Sequence, residues 1–324
     1  MFVISRLPVL AAVAAAALVG GCSSGSASST PPPSHAPTSH SAPSPPASSG
    51  SGPSGGPTKV LTFVEENSSF TQMHDQMPYV DSLARQYAYA SDFHAITHPS
   101  EPNYLAMAGG STFGVTDDAP PSVNGAKVAD ASSVFDQAIA RGLTAKLYAE
   151  SMPSNCDTTP NGLYAVKHNP WAYFAAGSAS CGQFDVPSGT PASGALATDI
   201  ASNALPNVGM VIPNLCNDAH NDGCSLAGAD DWLKGWLPQI LSSSDFTSGR
   251  LAVVITADED DRSGDNGVLT VVASRDLAAH EVVSAPLTHL SLSRFYAEVL
   301  GFAPLRDAAT APSLATAFHV AVGS

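Results

Sequence analysis

The chain has 324 residues, 44% hydrophobic and only 13% charged, with a formal net charge of −15. A chain of this length and apolarity can bury a sizeable core. So acidic a surface repels the phosphates of DNA or RNA, which excludes electrostatic nucleic-acid binding but leaves room for carboxylates gathered around a cation.

At the amino end, Arg6 precedes an apolar run from Leu7 to Val19, followed by Gly20, Gly21 and Cys22. The run is too short to span a bilayer and reads as a signal peptide over residues 1–21. Val19-Gly20-Gly21-Cys22 resembles a bacterial lipobox, which implies lipidation of Cys22 and anchoring to the outer face of a membrane. An ordinary secretory signal is the alternative. Residues 22–58 are almost all Ser, Pro, Gly, Ala and Thr, so they are expected to form a disordered tether with too little apolar surface to offset its ordering entropy. Residues 59–324 are expected to form a single catalytic domain.

Within that domain, Val60 to Val64 reads as a buried strand that delivers Glu65, Glu66 and Asn67 into a loop. A helix is expected over Met77 to Gln86. In "ASSVFDQAIARGLTAKLYAE" a second should stop at Gly142 and lead into a strand near Ala145 to Tyr148. Further strands are expected at Val208 to Ile212, Leu251 to Thr256 and Val268 to Val272, with helices near Asp230 to Leu241 and Leu290 to Leu300. This alternation predicts an α/β sandwich with a mostly parallel central sheet. Glu65-Glu66-Asn67, Pro213-Asn214 and Asp258 to Asp261 each follow a strand, which brings their side chains to the carboxyl edge, where open α/β sheets bind ligands.

Besides Cys22 there are four cysteines, and an even number in an exported chain favours two disulfides. Cys156 with Cys181 and Cys216 with Cys224 is the simplest of three pairings. A zinc site made from the four is the weaker alternative, because none of the spacings is CxxC.

Several segments carry candidate chemistry. In "THPSEPNYLAMAGG", Ser100 stands at a helix entry, with Ser100 as N-cap and Glu101 and Pro102 opening the first turn. The same position would face a serine nucleophile toward the N–H groups and positive end of the helix, where an anion binds. A serine hydroxyl still needs a base or a metal to activate it. "ITADEDDRSGDNG" places Asp258, Glu259, Asp260, Asp261 and Asp265 within eight positions, a repulsion that a cation or solvent must relieve. An EF-hand is excluded, since Arg262 and Ser263 fall where that loop needs an oxygen ligand and a glycine. Asp218, His220 and Asp222 alternate after a strand and offer mixed oxygen and imidazole ligands. Lys167 and His168 together could meet a phosphate. His289 opens the C-terminal amphipathic helix.

The stretches "VEENSSF", "HPSEPNYLAMAGGSTFGVTDD", "ESMPSNC", "KHNPWAYF", "PNLCNDAHNDGC", "DEDDRSGDN" and "THLSLSR" together resemble the bacterial phosphoesterase family of nonspecific phospholipases C and secreted acid phosphatases, a branch of the alkaline phosphatase superfamily. The resemblance implies a three-layer α/β/α sandwich and hydrolysis of phosphoric esters through a phosphoserine on Ser100. It also implies a divalent metal, zinc, calcium, magnesium or manganese, held by Glu66, Asn67, Asp258, Glu259 and Asp218. His220 or His289 would act as acid and base, and Asn103, Lys167 and His168 would contact substrate. Ser68 departs from relatives that carry histidine or arginine after the Glu-Asn pair. At this length the chain is expected to be too short for the large C-terminal extensions of the phospholipase branch, which favours the smaller acid-phosphatase-like subgroup. A phosphodiesterase or phospholipase C on the same fold is the alternative; a sulfatase is disfavoured by the lack of a Cys-x-Pro-x-Arg segment. From another class, a tethered lipoprotein could bind a phosphorylated ligand without turnover. The membrane is expected as a partner only through the lipid anchor.

Overall fold

The computed structural model describes residues 55–175 and 179–322. The expected signal peptide, Cys22 and nearly all of the expected tether lie outside the described residues. No helix among the described residues is long and apolar enough to cross a membrane.

The chain opens with strand β1 (Lys59–Glu65), helices α1 (Phe70–Gln76) and α2 (Pro78–Gln86), and short strands β2 (Ala88–Ala90) and β3 (Phe93–His94). Helices α3 (Ser100–Gly109), α4 (Pro121–Val128) and α5 (Val134–Ala140) follow, then β4 (Ala145–Ala149), α6 (Pro170–Phe174), α7 (Cys181–Phe184), β5 (Asp185–Pro187) and α8 (Ala195–Ala201). The remainder runs β6 (Val208–Ile212), α9 (Leu226–Ser242), α10 (Ser244–Thr247), β7 (Leu251–Ala257), β8 (Thr270–Ala273), β9 (Glu281–Val283), β10 (Leu287–Thr288), α11 (His289–Leu300) and α12 (Leu314–Ala317).

Eight strands form one sheet in the order β5-β4-β6-β1-β7-β8-β2-β9. The pairs from β5 to β7 are parallel; β8 runs against both its neighbours, β7 and β2. β3 and β10 make a separate parallel pair. The central strands β1, β6 and β7 read as continuous apolar runs because helices cover both faces, which removes the alternation of a half-exposed strand. Two neighbouring residues of β1 show the layering. Phe63 packs edge-on against Trp232 of α9, whereas Thr62 accepts a 2.7 Å hydrogen bond from Tyr296 of α11, on the other face.

Side-chain caps fix several helix starts. Ser69 and Gln72 form a capping box on α1, Ser133 and Asp136 another on α5, and Thr288 with Ser291 a third on α11. Gly301 closes α11 in the left-handed conformation. The last expected strand is shifted, starting at Thr270 instead of Val268, because Val268 is engaged with Phe93 and continues the loop.

Both disulfides take the sequence-local pairing, Cys156–Cys181 and Cys216–Cys224. The alternative zinc arrangement is thereby excluded, since a bonded sulfur is no longer a thiolate ligand.

Candidate active site

Strand β1 ends where its two neighbours end, so Glu66 and Asn67 meet Asp258 and Glu259 from the end of β7. Asn67 has a φ of 45°, a left-handed backbone that asparagine tolerates, and its N–H donates to Asp258 Oδ1 at 3.1 Å. Ser100 is buried at the start of α3, and its Oγ donates to Glu66 Oε2 at 3.2 Å. Tyr104, one turn further along α3, donates to the other oxygen, Glu66 Oε1, at 2.7 Å.

The cap at Ser100 differs from the sequence expectation. Pro99, joined to His98 by a cis bond, is the extended residue before the helix, and Ser100 is the first helical one. Its hydroxyl caps nothing. Asp118, from the loop before α4, supplies the cap instead, accepting the Glu101 N–H at 3.0 Å. One of the free N–H groups expected to face an anion is therefore taken, and the Ser100 hydroxyl is released from a structural task.

Lys167 enters from a short 3-10 turn at Val166–His168. Its Nζ lies 3.4 Å from Ser100 Oγ, 3.0 Å from Asp118 Oδ2 and 3.2 Å from His220 Nε2. Burial alone would lower its pKa, but the charges of Glu66 and Asp118 carry it upward, so it stays a cation. His168 sits beneath, fully buried, with Nε2 3.1 Å from Glu66 Oε1 and Nδ1 3.4 Å from Asp218 Oδ2, its ring stacked on Tyr104. The Cys216–Cys224 disulfide closes the loop that carries Asp218 and His220, and Asp218 Oδ1 accepts the His220 N–H at 2.9 Å.

The carboxylates here are held against their chemistry. Burial, then the charges of Asp258 and Asp218, push Glu66 well above the usual range. Burial also raises Asp218, and burial with the charge of Glu259 raises Asp258 to about 7. Asp258 Oδ2 and Asp218 Oδ2 are buried without a hydrogen-bond partner. His168 and His220 are both pushed down, by burial and then by Lys167, so their rings are neutral with lone pairs to give. Glu66, His168 and His220 each bring one ligand atom within 4.8 Å of the others. Orphaned oxygens, crowded acids and neutral imidazoles are what a divalent cation would satisfy, so these residues fit one.

The remaining expected residues divide. Glu259, raised to about 7 by burial, is engaged by His98 Nδ1 at 3.0 Å and by Asn103 Nδ2 at 3.4 Å, which turns it toward the 96–103 loop. Asn103 accepts the N–H groups of Ile96 and Thr97 and donates to the Thr97 carbonyl, so it orients that loop instead of facing a ligand. His289 is fully buried, Nε2 on the Asp258 carbonyl at 2.7 Å and ring edge against Phe93. The acidic run splits: Asp260 holds its own loop by accepting the N–H groups of Arg262, Gly264 and Asn266, while Asp261 and Asp265 are exposed. Asp222 is exposed too. Reasoning from the sequence missed Asp118, Tyr104, His98 and the ligand-like placement of His168. Asp118 and Tyr104 both lie within the segment that carried the resemblance, but no spacing marked either as a partner of Lys167 or Glu66.

The mostly parallel sheet and its flanking helices have a counterpart of similar fold among solved proteins of the alkaline phosphatase superfamily. A member of that superfamily from Vibrio parahaemolyticus has a similar fold, with a TM-score of 0.52 at 11% identity over 78% of this chain and 71% of that one. The lipoteichoic acid synthase LtaP from Listeria monocytogenes also scores 0.52, at 10% identity over 79% and 76% of the two chains. The chain belongs to the Phosphoesterase family, whose pattern matches residues 57–272. A phosphatidylinositol-3-phosphatase from Mycobacterium tuberculosis is 36% identical over 219 residues, covering 65% of this chain and 67% of that one. An acid phosphatase from Aspergillus fumigatus is 30% identical over 188 residues, covering 55% of this chain but only 39% of the fungal one.

Proposed function

We propose that residues 59–324 hydrolyse phosphoric monoesters through a phosphoserine on Ser100. The observation that carries the reading is the Ser100 hydroxyl itself: it is free of any cap, donates to Glu66 and lies 3.4 Å from a cationic Lys167. The names of the relatives, a phosphatidylinositol-3-phosphatase and an acid phosphatase, favour a monoester over a diester.

Glu66, Asp258, Asp218 and His168 would hold the divalent cation, with Asn67 at its margin. When bound, it would lower the pKa of the Ser100 hydroxyl and polarise a phosphoryl oxygen. Ser100 attacks phosphorus in line, and Lys167 offsets negative charge on the phosphoryl oxygens as the ester bond breaks. Asp118 keeps Lys167 aimed at Ser100. His220, neutral and half-exposed, accepts the proton of the water that releases phosphate. We assign this work to His220 alone, since His289 is fully buried with its Nε2 on the Asp258 carbonyl and has no access to a water. His289 would position the end of β7.

Two disulfides suit an oxidising compartment, so the reading extends to an extracytoplasmic enzyme, with the lipid anchor at Cys22 as part of the proposal. Ser100→Ala is the direct test. It should lower kcat on a phosphomonoester by about a thousandfold or more while leaving thermal unfolding nearly unchanged. Retained turnover would show that Ser100 is not the nucleophile, and stoichiometric binding of phosphate without turnover in the parent protein would favour the non-catalytic lipoprotein.

A further inference from the structure

A cavity of about 410 Å³ opens beside Lys167. Asp118, Lys167 and His220 form its inner end, so it is continuous with the Ser100 site. Away from that end its walls are mostly apolar, Pro120, Pro160, Val166 and Leu215 among them, with Asn161 the one amide and Tyr164 turning its hydroxyl onto the Asp157 carbonyl. The volume falls in the range of small-molecule sites, which are mostly apolar with a few polar groups fixing orientation.

The walls are held in place before any ligand arrives. Leu215 N–H donates to the Leu163 carbonyl at 3.0 Å, and Asn161 and Tyr164 exchange backbone hydrogen bonds. Tyr164 donates its hydroxyl to the Asp157 carbonyl at 2.7 Å. The two disulfides brace the flanking segments at Cys156 and Cys216. Leu163, one of three large apolar side chains exposed among the described residues, stands at 42% exposure beside the cavity mouth.

Charge narrows what the cavity accepts. Among the described residues that line it, Lys167 is the one lysine or arginine, and its Nζ already meets Asp118 Oδ2 at 3.0 Å. A second anionic group on the substrate would meet Asp118 and mostly apolar walls, with no further lysine or arginine among the described lining residues to receive it.

We propose that this cavity is the leaving-group pocket, and that it selects monoesters whose alcohol is uncharged and apolar, of alkyl or aryl type, over esters with a charged or strongly polar alcohol. The proposal rests on the phosphomonoesterase reading above. Binding energy gained on the alcohol, remote from phosphorus, would appear in kcat/KM.

The test uses the intact, metal-replete protein and a series of n-alkyl phosphates from methyl to hexyl, whose alcohols differ little in leaving-group acidity. We expect kcat/KM to rise about three- to fourfold per methylene over the first few carbons and then level off. A hexyl phosphate ending in a carboxylate should lose most of that gain. Leu215→Asn and, on the facing wall, Pro160→Asp should each flatten the series while leaving methyl phosphate turnover unchanged, which also reports that the variants fold. A flat series in the parent protein, or a slope that survives both variants, overturns the leaving-group assignment alone. Failure to turn over any member overturns the phosphomonoesterase reading and the pocket together.

Discussion

The two ends of β1 handle charge in opposite ways. At the amino end, Lys59 donates to Asp245 Oδ2 at 2.8 Å and to the Leu205 carbonyl at 2.7 Å, and Arg250 holds the other oxygen of Asp245 at 2.8 Å. The buried Asp245 therefore has a partner for each oxygen. Seven residues later the same strand delivers Glu66 into a knot of acids, where Asp258 Oδ2 and Asp218 Oδ2 have no hydrogen bond. One end is arranged so that the folded chain is satisfied by itself. The other is arranged so that it is satisfied only by something bound, which is how a polypeptide stores affinity for a cation and its anionic substrate.

Glu66→Gln would break this contrast most severely. It should reduce phosphomonoester turnover by about a hundred- to ten-thousandfold, and yet raise the melting temperature of metal-stripped protein, because one repelling buried charge is gone. A lowered melting temperature in the stripped state would mean that the acids are not mutually frustrated. Asp245→Ala should do the reverse, leaving kcat/KM on a small ester unchanged while costing about 3–5 kcal/mol in denaturant titration, since it strands Lys59 at a buried ion pair.

Asp185 separates burial from catalysis. Burial pushes its carboxyl up to about 7, and its side-chain hydrogen-bond donor is Asn169, not Ser100 or Lys167. Below pH 4 both folded and unfolded states hold the proton. As pH rises toward 7 the unfolded chain ionises first, so stability falls across that window by at most about 4 kcal/mol and is level above it. Asp185→Asn should remove Asp185's share of the slope between pH 4 and 7 in chemical denaturation, leaving that of the site acids, and keep turnover intact; an unchanged pH slope would place the effect elsewhere. The smallest change is expected from Asp265→Asn. This carboxylate is exposed and outside the acid knot, so kcat/KM and melting temperature should both stay at parent values. A loss of metal affinity on that substitution would enlarge the site to the whole acidic run.

What the sequence revealed follows the same division. Strands β1, β6 and β7 were legible because apolar runs bounded by polar loops are local signals, and with them came Glu66, Asn67, Asp258 and the side of the sheet on which they fall. Ser100 was legible as a candidate but not as a geometry. Its cap is supplied by Asp118, its neighbouring cation is Lys167, and pairings across dozens of residues leave no periodic trace. His168 and His289 show the limit most sharply. Each opens or joins a short helical segment, and only the packed fold distinguishes the ring wedged between Glu66 and Asp218 from the ring that supports the Asp258 carbonyl.

All ten residues of α3 are buried, from Ser100 to Gly109. A Cβ at Gly109 would come within 2.7 Å of Phe113 and 2.8 Å of Phe174, so even the far end of the helix has no room to shift. For anyone wishing to retarget this scaffold, that makes the serine-bearing rod the fixed part and the loops around residues 118–122, 160–166 and 215 the adjustable part. Libraries confined to those loops would sample new alcohols on an unmoved nucleophile, whereas diversity placed in the rod would be spent on restoring its fit.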